Sequence, residues 1–174
     1  MQRIFVKYDG NRSIENKFAL AYAIANKFAF AKTLAVNCVV LPLRKDVTPL
    51  ARIYPLFSSS SGNSHFIGTP AGGILIDAGV SCRRLVNALR QNDIPPEAVR
   101  AIFITHNHSD HISGLRVFEN SFNTPVFASR LTLKYLSDNG HLASGTSCGE
   151  IGGGIETAGF FVTAFPTRTT RREA

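Results

Sequence analysis

The stretch A-I-F-I-T-H-N-H-S-D-H-I-S-G-L, Ala101 to Leu115, decides how the rest of the chain is read. Ala101 to Thr105 is an apolar run with the β-branched and aromatic character of a buried strand. It runs directly into Thr105-His106-Asn107-His108-Ser109-Asp110-His111, which fits H-x-H-x-D-H. At the end of an extended segment, residues two apart point the same way, so His106 and His108 can grip one metal ion together. The chain then turns, and Asp110 with His111 can present an oxygen and a nitrogen to a second ion. Imidazole nitrogen and carboxylate oxygen are what zinc and similar divalent ions accept. Two ions roughly 3.5–4 Å apart can hold a hydroxide and stabilise charge on an attacked group. A histidine-rich surface turn would reach this pattern by chance in about one chain of this length in ten thousand. His106, His108, Asp110 and His111 are therefore the candidate metal ligands.

Working outward, the pattern is one of strands alternating with helices. Upstream, Arg52 to Phe57, His65 to Gly68 and Gly73 to Asp77 read as strands, with Ser58 to Asn63 a tight polar loop. Ser81 fits the N-cap of a helix that puts Leu85, Val86 and Leu89 on one face and Arg83, Arg84 and Arg90 in solvent, ended by Asp93 to Pro96. Downstream, Gly114 to Asn123 and Leu131 to Asp138 suit helices, while Pro125 to Ala128 and Phe160 to Phe165 suit strands. The class is α/β, with sheets covered by helices.

A net charge of +7 invites a nucleic-acid reading, so its distribution matters. Residues 1 to 50 hold eight Lys/Arg against three Asp/Glu (+5), residues 51 to 162 hold eight of each (0), and residues 163 to 174 hold three Arg against one Glu (+2). The neutral middle weakens any argument from charge to a basic binding face. Cys38, Cys82 and Cys148 are odd in number and widely spaced, which argues against a disulfide framework or a cysteine zinc knuckle and suits a reducing cytoplasm. Phe18 to Leu43 is rich in Ala and Phe and has helical propensity, but Lys27 and Lys32 interrupt it, so no membrane span of about 18 residues is expected. Residues 1 to 50 read as an extension of unknown role, dispensable for folding.

Three further segments join the histidine motif in resembling a known family: L-F-S-S-S-S-G-N-S (Leu56 to Ser64), G-I-L-I-D-A-G (Gly73 to Gly79) and P-V-F-A-S (Pro125 to Ser129). Together they resemble the metallo-β-lactamase superfamily, closest to its YycJ/WalJ-like branch, over about Arg52 to Thr167. The resemblance implies a four-layer αββα sandwich with a metal site at one edge, two divalent ions (zinc, with manganese the alternative) and hydrolysis by a metal-bound hydroxide. For this branch it implies phosphodiesters of nucleic acid as substrate; a thioester or lactam is the alternative within the superfamily. It gives Asp110 a part in handling the nucleophilic water as well as in ligation, and makes Asp77 a partner that supports the metal loops without binding metal. The Ser58 to Asn63 loop is either part of the active-site floor or a solvated turn. His65 reads as structural, and His141 supplies no ligand.

The family continues past the last strand with a histidine-bearing turn, and further on with a bridging Asp and a final His. Here the match breaks after Thr167 into an Arg-rich tail, residues 168 to 174, which reads as out of frame. The expectation is thus an extension (1–50), the N-terminal half of the domain (51–167) and a basic tail, with four of about seven family ligands present and little or no activity alone. A non-catalytic metal-binding or interaction module is the competing reading.

Overall fold

The computed structural model describes residues 2–8 and 51–166. The helical stretch expected between Phe18 and Leu43 and the expected basic tail at 168–174 lie outside the described residues.

Among the described residues, two sheets and four α-helices make the fold. Strand β1 (Gln2–Tyr8) belongs to the smaller sheet, whose order is β1, β9 (Phe160–Pro166), β8 (Ile155–Thr157). The larger sheet runs in chain order: β2 (Arg52–Ser59), β3 (Gly62–Thr69), β4 (Gly72–Ile76), β5 (Val99–Phe103), β6 (Val126–Ala128) and β7 (Cys148–Glu150). Its first three strands are antiparallel, and β4 to β7 are parallel. The parallel half needs crossovers, supplied in part by α1 (Cys82–Gln91), α3 (Leu115–Phe122) and α4 (Arg130–Asp138), with the one-turn α2 (Ser109–Ile112) entering from the histidine motif.

Strand alternation sorts the side chains into two cores. Phe66, Leu75, Ile102, Ile104 and Val126 face the helices and meet Leu85 and Leu89 of α1, Leu115 and Phe118 of α3, and Leu136 of α4. Ile67, Ile74, Ile76, Ala101 and Phe103 face the other way, onto Phe160 and Val162 of β9 and Val6 of β1. Helices therefore cover one face of the large sheet and the small sheet covers the other. This is the mixed α/β arrangement expected, in its α-β-β layers.

The differences from expectation have local causes. The polar loop at Ser58 to Asn63 shrinks to a turn at Ser60 and Ser61, because Ser58 and Ser59 pair with Asn63 and Gly62. Ser81 occupies the N-cap position of α1 but makes no side-chain cap hydrogen bond. Strands β7 and β8 were not expected; β7 is brought beside β6 after the loop before it is pinned by buried Glu119, which accepts from the Ala143 amide (2.7 Å) and the Thr146 hydroxyl (2.8 Å). The N-terminal extension also contributes a strand. Its residues 2–8 pair along all of β9, from Gln2 opposite Pro166 to Tyr8 opposite Phe160.

Two glycines let the backbone close around the histidine motif. A Cβ on Gly79 would lie 1.8 Å from the Asp110 carbonyl oxygen, and one on Gly114 would lie 2.0 Å from that of Val80. Gly79→Ala should therefore force strand and motif apart and destabilise the protein by about 3 kcal/mol, as severe overpacking does; urea unfolding measures this, and a loss below about 1 kcal/mol would contradict the packing. Deleting residues 1–8 should lower the unfolding midpoint and leave β9 with an open edge. An unchanged midpoint would show that the N-terminus is dispensable, as the sequence reading expects.

Candidate metal centre

The candidate site lies where β4 and β5 end, at the carboxyl edge of the parallel strands where α/β sheets bind ligands. Asp77 follows β4 with a left-handed backbone (φ 60°) and is 4 % exposed. Its backbone amide donates to the Phe103 carbonyl (2.9 Å), which ties the ends of the two strands together. Its carboxylate accepts from the Thr105 amide (2.8 Å), the Thr105 hydroxyl (2.8 Å to Oδ2) and His111 Nδ1 (2.7 Å). One buried carboxylate thus fixes both ends of the histidine motif.

This fixes tautomers as well as positions. The Thr105 hydroxyl has one proton, and it faces the carboxylate. Its oxygen must then accept from His106 Nδ1 (2.9 Å), which leaves the His106 Nε2 lone pair bare. His111 likewise spends its Nδ1 proton on Asp77, leaving Nε2 as an acceptor. His106 Nε2 then lies 3.2 Å from His108 Nδ1, and His111 Nε2 lies 3.5 Å from Asp110 Oδ2. The second contact sets an imidazole nitrogen beside a carboxylate oxygen, two atoms of the kind that bind divalent metal.

Metal-binding atoms at these separations suit a cation, which would take the place of the proton shared by His106 and His108. Two ligands bound at about 2.0–2.1 Å around a tetrahedral zinc ion sit roughly 3.3 Å apart. The donor set fits divalent metal as two pairs, one of two imidazoles and one of a carboxylate and an imidazole. Among the described residues no group of three or more His, Cys, Asp or Glu side chains is placed to hold one metal ion, so each pair offers two donors. Burial, reinforced by neighbouring His111, lowers the His106 pKa from the usual 6.5 to about 4, with Asp77 pulling weakly the other way. A neutral ring is the form that binds metal.

All five residues singled out in the sequence meet here. Three others were not foreseen in this role. Thr105 relays Asp77 to His106. Asn63, 3 % exposed beside the turn of the β2–β3 hairpin, donates through Nδ2 to Asp110 Oδ2 (3.1 Å) and to the Ser59 carbonyl (3.0 Å), and stands 3.3 Å from His111 Nε2. The open choice for Ser58 to Asn63 thus divides: Ser58 to Ser61 are exposed, and Asn63 is part of the site floor. His65 is buried close enough to Asp77 and His111 to feel both, its pKa lowered chiefly by burial. The local pattern S-G-N-S offers no sign of these contacts, which cross 47 residues of chain. His141 stacks on Tyr135 and takes no part in this network.

The sequence profile described as "Metallo-beta-lactamase superfamily" matches residues 59–166. Exodeoxyribonuclease WalJ of Streptococcus pneumoniae serotype 2 (strain D39) is 36% identical over 87 residues, 50% of this chain and 32% of that protein. Exodeoxyribonuclease YycJ of Bacillus anthracis is 38% identical over 77 residues, 44% of this chain and 29% of that one. A solved structure, Rm3 metallo-beta-lactamase, is 27% identical with a TM-score of 0.44, covering 48% of this chain and 32% of its own. The chain thus spans about a third of the length of the curated relatives it matches. Because the profile covers more than half of the sequence and includes every residue of the network above, the chain belongs to the metallo-beta-lactamase superfamily.

Proposed function

We propose that this chain carries part of a zinc-dependent phosphodiesterase site, with His106 and His108 holding one ion and Asp110 and His111 a second. The observation that carries this is the two couples of metal-binding atoms, 3.2 Å and 3.5 Å apart, with His111 and, through Thr105, His106 oriented by one buried carboxylate. Three imidazole nitrogens with one carboxylate favour zinc over manganese, which prefers more oxygen. Ions held there supply Lewis acidity and neutralise charge at the attacked group. Asp77 and Thr105 hold the His106 and His111 rings in the tautomers that leave both Nε2 atoms unprotonated. Asn63 holds Asp110 Oδ2, so the other carboxylate oxygen, on a half-buried side chain, is left to take a proton from an attacking water. The names of the Streptococcus and Bacillus relatives support a nucleic-acid phosphodiester as the bond cleaved, ahead of a thioester or lactam.

The described residues offer two donors per ion where zinc takes four ligands. Purified protein should therefore bind zinc weakly, at fewer than two ions per chain. His108→Ala should weaken this at least tenfold, and Asp77→Ala should cost about 10–100-fold in affinity without removing a ligand. Equilibrium dialysis measures both, and equal uptake by all three proteins would defeat the metal reading. Hydrolysis by the zinc-loaded protein should fall on single-stranded DNA; faster hydrolysis of a thioester or lactam would overturn the substrate class.

The His106 shift also sets a pH dependence for the metal-free protein. Between about 4 and 6.5 the unfolded chain protonates this ring and the folded one does not. Its share of stability is therefore complete above 6.5 and is lost as pH falls toward 4. NMR titration should give His106 a midpoint near 4; a midpoint at the ordinary value would show the ring to be solvated.

A further inference from the structure

We infer that Arg83, Arg84, Arg116 and Arg130 form a row that grips the phosphate backbone of a nucleic-acid strand beside the metal centre. This rests on the substrate class proposed above and names the surface that would hold that substrate.

Topology puts the four on one edge. Strands β4 to β7 are parallel, so each crossover helix starts at their carboxyl edge, where the histidine motif lies. Arg83 and Arg84 are in the first turn of α1, Arg116 is in that of α3, and Arg130 opens α4. The starts of α1 and α3 adjoin each other just past the motif: a Cβ on Gly114 would lie 3.1 Å from the Cys82 amide nitrogen. The Ile104 amide, entering the motif, donates at 2.9 Å to the carbonyl of Phe127, which brings the start of α4 alongside. All four arginines are exposed, and among the described residues none is ion-paired.

Helix stability does not explain this placement. The amino end of a helix carries partial positive charge and favours acids, yet these three first turns hold arginine and no acid. An anion that meets them at this edge does explain it.

The neutral charge sum of residues 51–162 conceals this edge. Of its eight acids, Asp77 and Glu119 are buried and Asp110 belongs to the metal centre. Asp93 and Glu97 follow α1, and Asp138 ends α4, all at the opposite edge. Glu150, closing β7, is the exposed acid that remains on this edge of the large sheet.

Two of the arginines are already oriented. The Arg84 guanidinium lies 4.8 Å over the Phe57 ring, and Arg116 Nη1 donates to the Gly140 carbonyl at 2.9 Å. A guanidinium has five N–H donors, so each keeps donors for phosphate oxygens. Packed helices lie about 8–10 Å apart, so a row across α1, α3 and α4 covers roughly 20 Å. A lone phosphate group cannot span that row, whereas a strand with a charge at every nucleotide follows it.

The test is fluorescence anisotropy of a labelled oligothymidylate with the full chain in EDTA, over a range of salt. Replacing all four (Arg83→Gln, Arg84→Gln, Arg116→Gln, Arg130→Gln) should weaken binding. It should also flatten the dependence of log affinity on log salt by about 0.7 per arginine that meets a phosphate, so by about two to three in all. The combination Arg52→Gln, Arg90→Gln, Arg100→Gln, at the opposite edge, should keep the wild-type slope. Circular dichroism checks folding. If the fourfold variant does not fold, Arg83→Gln with Arg130→Gln decides, with a flattening of about 1.4. Equal flattening by both edges, or none from the first, overturns the inference. So does arginine-dependent binding seen on phosphatidylserine vesicles and not on the strand. Because metal is absent throughout, arginine-dependent strand binding upholds the inference even where dialysis shows no zinc uptake, a result that fails the metal reading alone.

Discussion

The carboxylate of Asp77, held under the ends of β4 and β5, accepts hydrogen bonds from Thr105 and His111 and thereby orders the whole site. A non-glycine residue in the left-handed region costs of order 1–3 kcal/mol, although Asp tolerates it better than most. Hydrogen bonds to a charged group contribute about 1.5–3 kcal/mol each, and three of them outweigh that strain. A buried carboxylate without these donors would be far costlier. Strand, motif and hairpin must therefore be in register together, and Gly79 and Gly114 are small because that register leaves their neighbours no room.

Much of this was legible because its signals are local. The alternation of Ile74, Leu75 and Ile76 between two cores follows from strand geometry, and the spacing of Leu85 and Leu89 places α1 on the sheet. H-x-H-x-D-H carried the candidate donors, because extended backbone followed by a turn sets their directions whatever surrounds them. The role expected of Asp77 came through resemblance, and the structure shows the hydrogen bonds it accepts from Thr105 and His111.

What escaped the sequence is long-range or weakly coded. Asn63 reaches Asp110 across 47 residues, and an Asn in a serine-rich turn looks solvated until the hairpin is folded against the motif. Strands β7 and β8 are three residues each, set among glycines, with too few side chains to show a period. Strand β1 was hidden for another reason: its pairing with β9 is non-local, and it heads a basic segment whose composition differs from the rest. The unprotonated Nε2 atoms of His106 and His111 follow only from counting protons around Asp77 and Thr105.

Zinc K-edge X-ray absorption on the zinc-loaded chain tests the central claim most directly. The account predicts nitrogen or oxygen neighbours at about 2.0–2.1 Å with outer-shell scattering from at least two imidazole rings, reduced in His106→Ala. A shell of oxygen or sulfur ligands without imidazole scattering, unchanged by that substitution, would contradict it.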